Sequence, residues 1–125
     1  FELYSSQLDD QVLKTFNSRT LPSLKKLTHF QLFIHYSSVT DFSVKKLFNN
    51  FPQEWFLTLN QFRVGLEVTQ ITDGSLQEFV DKNLEKFKNL NDLGIYINGS
   101  YMSPGMKAKI EQWCKFINEI KKSVI

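Results

Sequence analysis

Three stretches of the chain alternate apolar and polar residues: Phe30-Gln-Leu32-Phe-Ile34-His, Phe62-Arg-Val64-Gly-Leu66-Glu and Leu93-Gly-Ile95-Tyr-Ile97-Asn. Period-two alternation predicts strands with one buried and one open face, near residues 30–35, 62–68 and 93–97. Between them the apolar spacing turns helical: Leu13 and Phe16; Val44, Leu47 and Phe51; Leu76, Phe79, Val80 and Phe87. Helices are therefore expected near residues 9–18, 41–51, 73–88 and 104–122. Asp9, Thr40, Thr72 and Ser103 precede them, and each has a side-chain oxygen able to accept a hydrogen bond from an unpaired helical N–H. Asp10, Asp41 and Asp73 follow the cap and suit the positive end of the helix dipole. Pro104 opens the last helix, where a missing N–H costs nothing.

These elements recur. Leu8, Val39, Ile71 and Met102 share a register with offsets of 31, 32 and 31. Leu27, Leu59 and Leu90 correspond, as do Phe30, Phe62 and Leu93. Counting back from the first helix, Phe1 falls in the column of Leu32, Val64 and Ile95, and Leu3 in that of Ile34, Leu66 and Ile97. Ser6, Ser37, Thr69 and Ser100 form a hydroxyl column. Four copies of one unit result: 1–26 (truncated), 27–58, 59–89 and 90–125, together a single domain. The chain opens on Phe1 rather than Met, so a fragment of a longer protein is expected.

Strand followed by helix, repeated, implies a parallel sheet. Sheets covered on both faces read as continuous apolar runs. Here the outward positions Gln31, Phe33, His35, Arg63, Gly65, Glu67, Gly94, Tyr96 and Asn98 are mostly polar, so helices are expected on one face only. The columns Leu27-x-x-Phe30-x-Leu32-x-Ile34-x-x-Ser37-x-Val39, with their copies at 59–71 and 90–102, resemble the leucine-rich repeat family, nearest its ribonuclease-inhibitor-like branch. The long period is similar to repeats common in ciliates and other protists. The resemblance implies an α/β horseshoe slice with strands on the concave face and helices on the convex one. It departs from the family where hydroxyl residues replace the asparagine column. The last helix carries Met106, Ile110, Trp113, Ile117, Ile120 and Val124 as one stripe but has Lys107 where other copies have Leu13, Val44 and Leu76. An atypical end unit is how such arrays are capped, with a partner-docking helix the rival reading.

Charge adds little: fifteen basic and thirteen acidic side chains leave a net charge of +2. The lysines lie on helices among acids, and the strand face has only Arg63, opposed by Glu2 and Glu67, so nucleic acid is not an expected partner. The lone Cys114 favours a reducing, intracellular and cytoplasmic setting, and beside the apolar stripe it reads as core filler rather than a nucleophile. No membrane span, phosphate loop, nucleophile elbow or metal-ligand spacing is present, so no enzyme activity, cofactor or metal is expected. His29 and His35 should not converge, and the Asn98-Gly-Ser100 sequon sits in a repeat turn.

Aromatic residues at outward strand positions are the better clue. Strands about 4.8 Å apart turn columns into rows, giving a four-strand face roughly 19 Å wide. One expected row is Glu2, Phe33, Gly65 and Tyr96, with Phe33 and Tyr96 flanking a shallow pocket over the glycine. The next is Tyr4, His35, Glu67 and Asn98. Trp55, in the insertion 52–55, either packs over the helix side or stands as a second anchor. The expected function is a non-catalytic protein-interaction scaffold using Phe33, Tyr96, His35, Glu67, Arg63, Tyr4, Asn98 and Trp55. The alternative is a regulatory or substrate-binding arm of an enzyme or GTPase-regulating parent chain.

Overall fold

The computed structural model describes residues 1–121. Strands β1 (Glu2–Tyr4), β2 (His29–Phe33), β3 (Gln61–Gly65) and β4 (Asp92–Tyr96) form one sheet in chain order, every neighbouring pair parallel. Helices α1 (Asp10–Thr15), α2 (Asp41–Asn49), α4 (Asp73–Glu78) and α5 (Pro104–Lys115) follow the strands in turn. The fold is α/β, as the alternation of periods predicts.

Residues on the inner face of the sheet and the buried sides of all the helices belong to one core cluster. Phe30, Leu32, Phe62, Val64, Leu93 and Ile95 come from the strands, and Leu13, Val44, Leu47, Leu76, Phe79 and Ile110 from the helices. Ile34, Leu66 and Ile97 extend the inward column past the regular strand ends. The interior is aromatic: Phe48 meets Phe79 edge-on at 4.9 Å and Phe62 stacks on Phe79 at 5.4 Å. Such pairs add directional preference to the area they bury.

The helices differ from expectation in their ends. α1 and α4 continue as π turns over Phe16–Thr20 and Phe79–Asn83, then as 3₁₀ turns over Leu21–Ser23 and Leu84–Lys86. α2 stops at Asn49, and the insertion leads into a short helix, α3 (Trp55–Thr58). α5 runs on as a π-helical segment over Phe116–Lys121. Its expected end at residue 122, Val124 and the side chain of Ile120 lie outside the described residues.

The repeated Thr-Asp does more than start helices. Thr40, Thr72 and Ser103 cap theirs, accepting from the N–H of Phe42 (3.3 Å), Gly74 (3.3 Å) and Met106 (3.2 Å). Each cap residue is itself held by the aspartate of the preceding unit. The Thr40 N–H donates to Asp10 Oδ1 (2.8 Å), the Thr72 N–H to Asp41 Oδ1 (2.9 Å) and the Ser103 N–H to Asp73 Oδ1 (2.7 Å). The three cap hydroxyls donate to the other oxygen of the same carboxylates. Ser43 and Ser75 add a third bond to Asp10 and Asp41; the corresponding residue in the last unit is Met106, which has no hydroxyl to offer. Desolvation pushes the Asp10 carboxyl up, but the hydrogen bonds from Ser43 and Thr40 outweigh it, and the group ionises below the ordinary range. Ser103 holds Asp73 low in the same way.

At β4, Asn118 donates to the Leu93 carbonyl (2.9 Å) and accepts from the Leu93 N–H (2.7 Å), so one side-chain amide pairs both polar groups of an edge residue. Trp113 and Cys114 pack partly buried against the core beside it.

Leu66 is fully buried and Glu67, one residue on, points outward. Leu66→Ala should cost about 2–5 kcal/mol and Glu67→Ala almost nothing; equal melting temperatures would show the strand faces to be reversed. Asp10→Asn should lower the melting temperature near neutral pH by roughly 5 °C, a loss of about 1 kcal/mol. A lowered carboxyl contributes fully above its unfolded value, about 3.9, and the contribution is lost as pH falls through the folded value below it. The gap between wild type and Asp10→Asn should therefore close as melts are repeated below about pH 4. A gap that persists there would mean the ionised form of Asp10 does not matter.

Candidate functional site

The outward face is set by the pairing register. Tyr4, Phe33, Gly65 and Tyr96 are cross-strand partners, and Glu2, Gln31, Arg63 and Gly94 form the row behind them. This corrects the expected rows, which had Glu2 beside Phe33 and Tyr4 beside His35. The first copy is displaced by two residues because its connection is shorter: Leu3 pairs with Leu32, yet its helix cap is Asp9, six residues on, where Leu32 and Thr40 are eight apart. Ser6 consequently leaves the hydroxyl column and is exposed, whereas Thr69 and Ser100 donate to the carbonyls of Leu66 (2.7 Å) and Ile97 (2.6 Å) and close their turns.

The aromatic row is continuous. Tyr4 stacks on Phe33 with centroids 5.1 Å apart and planes 10° apart, and Phe33 reaches Tyr96 at 5.9 Å. No pocket lies over Gly65, contrary to expectation. The rings of Phe33 and His35 cover it so closely that a Cβ there would sit 2.5 Å from Phe33 Cδ1 and 2.3 Å from His35 Cε1. The rings occupy the space a side chain would take, so any other residue at this position would have to push them aside. The His35 ring lies 5.7 Å from Phe33, and its Nδ1 accepts the Glu67 N–H at 2.9 Å, which leaves the proton of the neutral ring on Nε2. Tyr4 and Tyr96 remain 62% and 43% exposed.

A polar chain runs alongside. The Tyr4 hydroxyl donates to Gln31 Oε1 (3.1 Å), Gln31 Nε2 to Gln61 Oε1 (2.7 Å), and Gln61 Nε2 to Asp92 Oδ2 (2.9 Å). Arg63 closes it with a bidentate pair to Asp92, at 3.0 and 2.7 Å. Its partner is thus Asp92, a residue the alternation left off the outward face, and those hydrogen bonds hold the guanidinium more firmly protonated. Gln61 and Asp92 were missed because the strands begin one residue earlier than predicted, at His29, Gln61 and Asp92. Carrying the alternation one step back, through Gln61-Phe62 and Asp92-Leu93, finds them.

Trp55 is removed from the surface. It is fully buried, its indole N–H donates to the Leu24 carbonyl (2.6 Å), and its ring stacks on Phe51 (5.3 Å) and tilts against Phe30 (4.9 Å). Of its two readings, packing on the helix side holds and the anchor does not. Asn98 is exposed at the end of the outward face, and its carbonyl accepts from the Val68 N–H (2.9 Å). The hydroxyl of Thr28 contacts His29 Nδ1 (2.8 Å), while His35 is engaged six residues along the chain, about 20 Å in extended backbone. Among the described residues there is no group of three His, Cys, Asp or Glu suited to a metal. No described helix is long and apolar enough to cross a membrane. Burial pushes the Cys114 thiol up, against the opposing effect of the Ile95 backbone, which makes it a poor nucleophile.

At the C-terminal ends of the strands, one column adopts left-handed backbone: Tyr36 (φ 60°), Val68 (φ 55°) and Gly99 (φ 79°). These turns end the regular ladder earlier than the alternation predicts, although Tyr36 N–H still bonds Glu67 O and Val68 N–H bonds Asn98 O, both at 2.9 Å. A β-branched residue is strained there, by about 1–2 kcal/mol. Val68→Asn, which tolerates this region, should therefore raise the urea midpoint of unfolding by an amount worth about 1 kcal/mol with an unchanged slope. A lower midpoint would show that the valine contacts outweigh the backbone strain.

In comparison with known proteins, the chain matches no protein-family model and no curated protein sequence.

Proposed function

We propose that this protein is a non-catalytic protein-interaction scaffold, built as a leucine-rich-repeat-type solenoid slice whose outward strand face receives a protein partner. The observation that carries the reading is the Tyr4–Phe33–Tyr96 row, its two tyrosines exposed and Phe33 half-buried between them, packed over Gly65 with the Gln31–Gln61–Asp92–Arg63 chain beside it. A rigid, amphipathic aromatic surface loses little conformational freedom on binding, and tyrosines are enriched where proteins meet. The anchors are Tyr4, Phe33 and Tyr96, with His35, Glu67, Arg63 and Asn98 around them. The reading draws further support from the separation of roles: the core is complete without these side chains, so selection on them need not concern stability.

Tyr4→Ser combined with Tyr96→Ser should leave the melting temperature within about 3 °C of wild type, the usual range for exposed positions. It should abolish most of the co-purification of a partner from the source cell, because aromatic anchors carry a disproportionate share of interface energy. Phe42→Ser with Leu57→Ser, two exposed apolar side chains on the helix side, is the comparison. Recovery that survives the first pair and is lost with the second would move the binding surface to the helices.

A further inference from the structure

The outward strand face has a charge balance of its own that the small net charge does not report. None of the twelve lysines among the described residues occupies an outward strand position; they lie on helices and connections. Among the described outward positions Arg63 is the only lysine or arginine, and its bidentate pair with Asp92 spends its charge inside the face, while the His35 ring lies 3.7 Å from the Glu67 carboxylate. Glu2, exposed on β1, and Glu67, about one-third exposed beyond β3, carry the remaining charge, and both are negative. Between them lie the rings of Tyr4, Phe33 and Tyr96. At physiological ionic strength charges more than about 8 Å away are screened, so an approaching ligand responds to this local sign rather than to the overall +2.

We infer that the partner of the outward face is a cationic protein segment, whose Arg or Lys side chains lie over the tyrosine rings and reach Glu2 and Glu67. The inference rests on the proposed function and names the chemistry of its partner. Guanidinium and ammonium groups are attracted to the face of an aromatic ring. A carboxylate beside the ring adds a charge-assisted hydrogen bond.

The test uses the full chain and three fluorescent extended peptides of one framework, with Arg, Gln or Glu at their charged positions, titrated at low salt by anisotropy. The Arg peptide should bind most tightly and weaken as salt rises. Glu2→Gln with Glu67→Gln should reduce its affinity about three- to tenfold, as expected for two partly exposed ion pairs, and Tyr4→Ser with Tyr96→Ser should reduce it at least as much. Glu54→Gln with Glu85→Gln removes the same charge from exposed helix-side positions and should change affinity less than about twofold. Thermal melts confirm that each variant is folded. Equal losses from the two glutamate pairs, or failure of the Arg peptide to bind, would overturn the inference. Tighter binding of the Gln or Glu peptide that is lost with the tyrosine pair would also overturn it, while leaving the outward face as the binding surface.

Discussion

The structure depends on each strand–helix unit being fastened to the next in phase, and the aspartate after each helix cap does this. A single carboxylate accepts from the backbone N–H and the hydroxyl of the following cap, so the start of one helix is positioned by the start of the helix before it. Backbone pairing along the sheet fixes the spacing of the units, and the carboxylates fix their rotation at the rim. Hydrogen bonds to charged acceptors are about twice as strong as neutral ones, which suits a joint that lies only partly buried. The aromatic core can then fill a space whose outline is already set.

Much of this was legible in the sequence because burial and periodicity are coupled. Every predicted inward residue of β2, β3 and β4 is buried, and all four cap residues accept the bond expected of them. The second role of Asp10, Asp41 and Asp73 was not legible, since a residue that suits a helix dipole looks the same as one reaching to a neighbouring unit. The displaced register of β1 was missed for a related reason: counting from the helix presumes connections of equal length, and Leu3 reaches its cap two residues sooner. The outward face was read correctly in its residues but not in its relief. Phe33, Gly65 and Tyr96 suggested a hollow, whereas rings lean into any space that a glycine leaves. Trp55 fell off the repeat pattern, and only the fold could tell an insertion that folds inward from one that stands out.

Aromatic residues divide by their polar atom. All four tyrosines, Tyr4, Tyr36, Tyr96 and Tyr101, are exposed, while the fully buried large aromatics are Phe30, Phe48, Phe62, Phe79, Phe87 and Trp55. A phenol oxygen among Phe48, Phe62 and Phe79 would lack a partner, and the one buried aromatic with a donor, Trp55, has its N–H paired with Leu24. The tyrosines thus have no structural reason to be inside and gather on the strand face and its rim.

The Asn118 amide at Leu93 bears on how copies of this chain could join. A filament built by sheet continuation needs two receptive edges on every molecule, one to extend and one to be extended. Here Leu93 on β4 is already paired with a side chain that imitates a neighbouring strand. A strand arriving from another molecule would have to displace the Asn118 amide before it could pair there, so the sheet resists extension on this side.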